Sequence, residues 1–302
     1  MSTKIGVGII TCNRPDYLRG LLDSLVPCKE VIDELVIVND GDDKFNIDIL
    51  GEKWITKTTE KDIRGKSFSK TVFKESVVWL QNETNLGVGK SKNKALKYLL
   101  DKNCDYIFLI EDDTLILDKD VFNKYIEASK LSGIQHFNYG PGTPFNRRQS
   151  THFDLHNRHQ LNEDSDPNPR IVIDYGPIKI ALYTHIAGMF SFFTKKVLQE
   201  VGLIDEQFYN AWDHVDHTYR IIKAGYHPPF WWFADIENSH LYIEEAKAAI
   251  IKSAIAKDSQ EWIENVHKGR ELYLQKHGHY PNQPPISSKE EVIRTLKKIK
   301  NG

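Results

Sequence analysis

The run Tyr106-Ile107-Phe108-Leu109-Ile110 ends directly in three carboxylates, Glu111, Asp112 and Asp113. Apolar and aromatic residues in an unbroken row, without alternation, read as a strand buried on both faces, the kind found inside a parallel sheet. The carboxylates fall at the strand's carboxyl end, where open α/β sheets bind their ligands. Adjacent carboxylates repel one another. A hard divalent cation reverses that sign and prefers oxygen ligands. A solvated acidic turn is the competing interpretation, and the rest of the chain weighs on the choice.

Three more apolar runs precede this one. Residues 5–10 and 34–38 read as buried strands, and 77–80 as a third. Each ends in polar residues: Thr11 to Arg14, Asn39 to Asp42, and the turn from Asn85 to Asn93 with Gly87 and Gly89. Between the runs lie helical patterns. Asp16 stands ahead of Leu18, Leu21, Leu22 and Leu25, and Ala95, Leu96, Leu99 and Leu100 follow the glycine turn. Alternation of strand and helix over the first 115 residues points to a mostly parallel sheet with helices on both sides, its four polar loops converging on one rim. Residues 43–75 show no order that the pattern resolves.

Further along, 121–131 reads as a helix and 140–170 loses periodicity. So long an irregular stretch is functional or disordered, and a lid over donor or acceptor is the functional form. Strands are expected at 170–174, 178–183, 187–193 and 227–233. Helices are expected at 195–201, from Asp213 to about residue 225, and from 243 to 277 with a break near Gly269. A basic amphipathic helix follows at 288–300. Its apolar positions Val292, Leu296 and Ile299, with Arg294, Lys297, Lys298 and Lys300 beside them, suit either packing on the domain or contact with an anionic membrane.

The net charge of −2 gives no general attraction to nucleic acid or membrane. Three cysteines, Cys12, Cys28 and Cys104, are odd in number and widely spaced, which suits a reducing compartment. With no leader pattern and no run of 18 apolar residues, the expectation is a cytoplasmic protein without a transmembrane segment. Peripheral membrane contact through the C-terminal helix is a further expectation.

Taken in order, these motifs resemble the GT-A-fold glycosyltransferases, most closely family 2. Ile9 to Arg14 resembles the first strand and nucleotide loop, and Val38-Asn39-Asp40-Gly41 resembles V-x-D-G. Asn85-x-Gly87-x-Gly89-x-x-Lys92-Asn93 resembles N-x-G-x-x-x-A-R-N, and Glu111-Asp112-Asp113 stands where the DxD metal motif belongs. Gly188 to Phe193, with Val201-Gly202-x-x-Asp205-Glu206-x-Phe208, resembles the acceptor-side block. Asp213-His214-Val215-Asp216-x-x-x-Arg220 resembles E-D-x-D-x-x-x-R. The resemblance spans residues 4–240. It implies a GT-A α/β fold with a mixed, mostly parallel sheet over 1–242. Residues 1–115 would be the nucleotide half, 116–242 the acceptor half and 243–302 a helical extension.

The implied function is transfer of a sugar from a nucleotide-sugar donor, with UDP as carrier, to an acceptor hydroxyl on a glycan, lipid-linked, protein or nucleobase acceptor. Inversion by single displacement is carried over from the family. The alternative is a non-catalytic nucleotide- or sugar-binding relative. Mn²⁺ or Mg²⁺ would stabilise the leaving diphosphate. Asp113 is the expected direct ligand and Asp112 binds the ion through water or holds ribose. The resemblance adds His240 as a further ligand. Thr11, Asn13, Arg14, Asp40, Asn85 and Lys92 are expected around the nucleotide. Where the family carries Glu-Asp, this chain has Asp213-His214. Asp213 is the preferred general base, because a carboxylate is ionised at neutral pH without tuning, and His214 is the alternative.

Overall fold

The computed structural model describes residues 3–42, 54–61, 67–73, 77–147, 166–246 and 260–302. The apolar runs become strands β1 (Ile5–Thr11), β2 (Glu34–Asn39), β5 (Val77–Gln81) and β6 (Tyr106–Glu111). With β11 (Phe190–Thr194) and β8 (His136–Asn138) they form a six-stranded sheet in the order β5-β2-β1-β6-β11-β8. The first four are mutually parallel, and β11 runs antiparallel to both β6 and β8. A mixed, mostly parallel sheet flanked by helices is the GT-A architecture expected from the resemblance.

Strand periodicity divides the core. Val7, Ile9, Leu35, Ile37, Phe108 and Ile110 face one side, packed with Leu18, Leu21, Leu22 and Leu25 of helix α1 (Pro15–Leu25). The same side takes Phe122 and Tyr125 of helix α3 (Val121–Ser132). Ile10, Val36, Val38, Ile107 and Leu109 face the other side, against Ala95, Leu96 and Leu99 of helix α2 (Val88–Asp101). Alternate residues are thus buried on opposite faces, the arrangement that unbroken apolar strands require. Helix α2 sits close: a side chain at Gly8 would place its Cβ 2.8 Å from the Ala95 methyl.

Smaller sheets complete the body. Strands β3 (Ile55–Lys61) and β4 (Ser67–Phe73) pair antiparallel within the stretch whose pattern was unreadable. Strands β9 (Ile171–Asp174), β10 (Lys179–Tyr183) and β12 (Phe233–Ile236) form a three-stranded sheet. The strand expected at 227–233 lies instead at Phe233–Ile236, because Pro228 and Pro229 remove ladder donors ahead of it. The helix expected from 243 is corrected at its start. Residues Ile243–Glu245 form strand β13, antiparallel to β7 (Thr114–Ile116) just beyond the acidic cluster. Residues 247–259 lie outside the described residues, as do 148–165 at the heart of the irregular segment expected to be a lid.

Helices α4 (Lys195–Val201) and α5 (Asp213–Lys223) lie on the second half. Helix α6 (Gln260–His277) runs through Gly269 without a break and docks on α5. Trp212 donates its indole N–H to the Val266 carbonyl at 3.0 Å. Buried Asp216 accepts from Arg220 Nε at 3.0 Å and contacts His277 Nε2 at 2.8 Å. Helix α7 (Lys289–Asn301) begins at a Ser288–Glu291 capping box. Its apolar positions Val292 and Leu296 are buried in the main core and Ile299 packs against it, so the face that suited a membrane is covered by the protein's own fold. Among the described residues no helix is long and apolar enough to cross a membrane.

Candidate active site at the carboxyl edge of the sheet

The parallel strands end side by side at Thr11, Asn39, Gln81 and Glu111. The loops after them are tied together. The backbone N–H of Asp40 donates to the Thr11 carbonyl at 2.8 Å, and that of Asn82 to the Asn39 carbonyl at 3.0 Å. The Asp40 carboxylate is committed to this framework. It accepts from the backbone N–H groups of Leu86 and Gly87 at 2.7 and 2.9 Å and from Asn82 Nδ2 at 2.7 Å. It fixes the glycine turn that starts α2, where Gly87 holds φ +84° and lies against Tyr209. Asn85 sits at the same rim, its amide oxygen accepting from the Tyr209 hydroxyl at 2.9 Å. Asn13, at φ 54°, accepts the Asp42 backbone N–H at 2.8 Å. The conformation is one that Asn tolerates better than most residues.

The acidic cluster is held from two sides. Asp112 is buried and accepts the Thr11 hydroxyl at 2.7 Å. Arg14 donates Nη1 to Asp113 Oδ2 at 2.9 Å and Nη2 to Asp112 Oδ1, so its guanidinium bridges both carboxylates. Burial pushes the Asp112 carboxyl up to about 7, against the opposing pull of Arg14. Burial and the neighbouring Glu111 also raise Asp113, again against Arg14.

Lys92 holds the other side. Its ammonium lies 3.0 Å from Glu111 Oε1 and 3.2 Å from Asp213 Oδ2. Sequence reasoning placed it at a nucleotide. The structure places it in the interior, 4% exposed, joining the end of β6 to the start of α5. Burial opposes its charge, but the carboxylates of Asp213 and Glu111 outweigh that and hold its pKa above the ordinary lysine value. The converse holds for Asp213. Burial alone would raise it, yet Lys92 and His214 hold it below the usual carboxylate range. His214 Nδ1 lies 3.4 Å from Asp213 Oδ1, and its side chain is 27% exposed. Beside the ring runs Gly188, where an added Cβ would stand 3.2 Å from His214 Nδ1 and 3.5 Å from Glu111 Oε1.

His240 sits in the turn Ser239–Leu241 with Nδ1 buried and without a partner among the described residues. Burial and the charge of Arg147 lower its pKa. Among the described residues no three of His, Cys, Asp and Glu come together as a metal-holding group. The charge balance nevertheless fits one divalent ion. Four carboxyl groups, Glu111, Asp112, Asp113 and Asp213, share two cations, Arg14 and Lys92, so the cluster holds more acidic groups than cations. Hard carboxylate oxygens on Asp112 and Asp113 suit Mn²⁺ or Mg²⁺.

Two participants escaped the sequence reading. Asn82, which holds Asp40, follows β5 as the other polar residues follow their strands. Tyr17 lies under the Arg14 guanidinium, 5.2 Å from its ring centre. Trp212, just ahead of Asp213, adopts φ 69° and gives its indole to α6.

No protein-family model matches the chain. The sequence is similar to an uncharacterized glycosyltransferase of Acanthamoeba polyphaga mimivirus, 29% identical over 205 residues, covering 67% of this chain and 70% of the relative. Among solved structures it is similar to S. aureus TarS 1–349, with a TM-score of 0.47 and 14% identity over 98% of this chain and 81% of that one. It is also similar to the mannosyltransferase PcManGT from Pyrobaculum calidifontis, solved with GDP-Man and Mn2+, with a TM-score of 0.43 and 11% identity over 72% of this chain and 52% of that one. With both TM-scores under 0.5, the fold rests on strand order and register.

Proposed function

We propose that the chain is a glycosyltransferase that moves a sugar from a nucleotide-sugar donor, with UDP as carrier, to an acceptor hydroxyl. One observation carries this reading: the buried bridge from Glu111 through Lys92 to Asp213. It sets an acidic cation site at a sheet edge next to a carboxylate–imidazole pair, which are the two halves that sugar transfer needs. The mimivirus relative carries the same activity in its name.

In this reading Asp112 and Asp113 would hold a divalent ion, which would supply Lewis-acid stabilisation of the leaving diphosphate. Thr11 fixes Asp112 through its hydroxyl. Asp40 preforms the Asn85–Gly87 turn under the nucleotide instead of reaching it with a free carboxylate. At the acceptor, Asp213 is neutralised by Lys92 and held low, which makes it a weak base. His214 is the better acceptor of the hydroxyl proton. Its Nδ1 faces Asp213 and its Nε2 takes the proton, with Asp213 orienting the ring. The displacement is a single step with inversion, as the family resemblance implies. Helix α7 serves the packing of the domain. Contact with an anionic membrane would fall to its basic face, since Val292 and Leu296 are buried.

A donor panel read by thermal shift tests the assignment. UDP-, GDP-, CDP- and dTDP-sugars are each added with Mn²⁺ and with EDTA. A ligand at 100 times its dissociation constant stabilises by about 2.7 kcal/mol. Stabilisation by one nucleotide class, dependent on the ion, is expected. No shift with any donor overturns the reading.

A further inference from the structure

Arg14 already pairs with the two carboxylates that a metal would use. Its Nη1 and Nη2 take Asp113 Oδ2 and Asp112 Oδ1, the oxygens by which the two carboxylates share one cation. Two cations held by the same pair of carboxylates repel one another, so a guanidinium and a divalent ion compete for them. This resting pose leaves two polar atoms unsatisfied. Arg14 Nε and the Tyr17 hydroxyl are both buried with no partner among the described residues. Buried polar groups are nearly always paired, so an orphan donor and an orphan hydroxyl on two residues in contact mark a place where a ligand or water completes the bonding. Arg14 is also outnumbered, since its one guanidinium serves both Asp112 and Asp113 while Lys92 serves Glu111 and Asp213.

We propose that Arg14 is a built-in counter-cation that holds Asp112 and Asp113 in the metal-free protein, gives way to the divalent ion, and then turns its freed fork onto the diphosphate. The second half rests on the glycosyltransferase reading; the first does not. A guanidinium pairs with phosphate oxygens bidentately, so the group displaced by the ion is suited to the anion that arrives with it. Arg14 is the N-cap residue of helix α1 and rests its guanidinium over the Tyr17 ring, so the stem is anchored at the helix start and the head is held only by side-chain contacts that an ion can replace. The consequence is linkage. Arg14 opposes the ion when the ion comes alone and favours it when a diphosphate comes too, so metal and nucleotide bind cooperatively and each raises the affinity of the other by the same factor.

The test measures Mn²⁺ binding directly, by loss of the free-ion electron paramagnetic resonance signal, with and without UDP. Wild type is compared with Arg14→Met and Arg14→Lys. For Arg14→Met, Mn²⁺ alone should bind at least tenfold tighter than to wild type, and the gain that UDP brings should shrink at least tenfold. Arg14→Lys keeps a cation without the fork. It should bind Mn²⁺ alone as weakly as wild type and lose most of the UDP gain, and it carries the test if Arg14→Met does not fold. Unchanged or weaker Mn²⁺ binding in Arg14→Met, an undiminished UDP gain in both variants, or no Mn²⁺ binding in any of the three proteins overturns the proposal. Failure of the glycosyltransferase reading is seen separately, as absence of turnover with every donor, while the titration of Mn²⁺ alone still reports on Arg14.

Discussion

Lys92 and Asp213 form an ion pair at 3.2 Å across 121 residues of sequence, with both side chains buried. The pair fastens α2 to the first residue of α5. Removing one partner of a buried pair leaves the other charge stranded, at a cost of about 3–5 kcal/mol. Lys92→Met should lose stability of that order in urea unfolding at neutral pH. Asp213 is held below the ordinary carboxylate value, so its contribution is present above about pH 4 and fades as pH falls below it. Wild type and variant should therefore converge in acid. Adding Asp213→Asn to Lys92→Met should recover part of the loss. A cost under about 1 kcal/mol would mean that the pair is not what joins α2 to α5.

The glycine turn gives a graded test. Gly87 has φ +84° and Gly176 has φ +91°, but a Cβ at Gly87 would meet the Tyr209 ring at 2.6 Å, whereas at Gly176 nothing lies within 4 Å. Gly176→Ala should cost only the strain of a left-handed residue, roughly 1–2 kcal/mol. Gly87→Ala should cost more by roughly 1–3 kcal/mol of overpacking. It should also weaken nucleotide binding, because it moves the turn that Asp40 holds. Equal costs by chemical denaturation would remove the role of Tyr209 as a wall.

Buried histidines set the acid limit. Burial lowers His227 to about 3, with His136 adding to the effect. Its ring is committed to the Ala234 backbone N–H and the Pro228 carbonyl. The unfolded chain takes up a proton near pH 6.5 that the folded chain refuses, so stability falls as pH drops from about 6.5 toward 3. Asp235, raised to about 6 by burial, acts in the opposite sense, so the contribution of His227 is best read as a difference. The stability gap between wild type and His227→Gln should narrow by roughly 3 kcal/mol between pH 7 and pH 4. A gap independent of pH would contradict the assignment.

The C-terminal helix should behave as core. Leu296 is 3% exposed and packs with the main cluster. Leu296→Ala should cost about 2–5 kcal/mol, and ending the chain at Pro285 should destabilise the whole domain in a thermal melt. Sedimentation with anionic vesicles should show no strong pelleting of the full chain. Pelleting lost on removing the helix would show that its basic face does bind lipid.

Much of the frame was legible. Strands β1, β2 and β6 announce themselves because residues buried on both faces leave unbroken apolar runs, the edge strand β5 shows a shorter run that is only partly buried, and polar residues at each run's end give the rim. Lys92 was legible in principle. Gly89, Lys92, Asn93, Leu96 and Leu99 share the helical spacing of a buried face, but the charge of Lys92 pointed to a nucleotide instead. The commitment of Asp40 was not legible, because its partners Asn82, Leu86 and Gly87 lie more than 40 residues onward and are met only through the fold. The pairing of β13 with β7 was hidden for a different reason: three residues are too few to show a period.

The measurement closest to the central claim is the initial rate of nucleoside diphosphate release from a UDP-sugar with Mn²⁺, taken for wild type, Asp113→Ala and His214→Gln. The account expects ion-dependent release by wild type and none by Asp113→Ala. In His214→Gln the rate should fall about 10²-fold or more with donor affinity unchanged, since general base catalysis contributes that much. Release at the wild-type rate by Asp113→Ala or in excess EDTA, or undiminished turnover by His214→Gln, would contradict it.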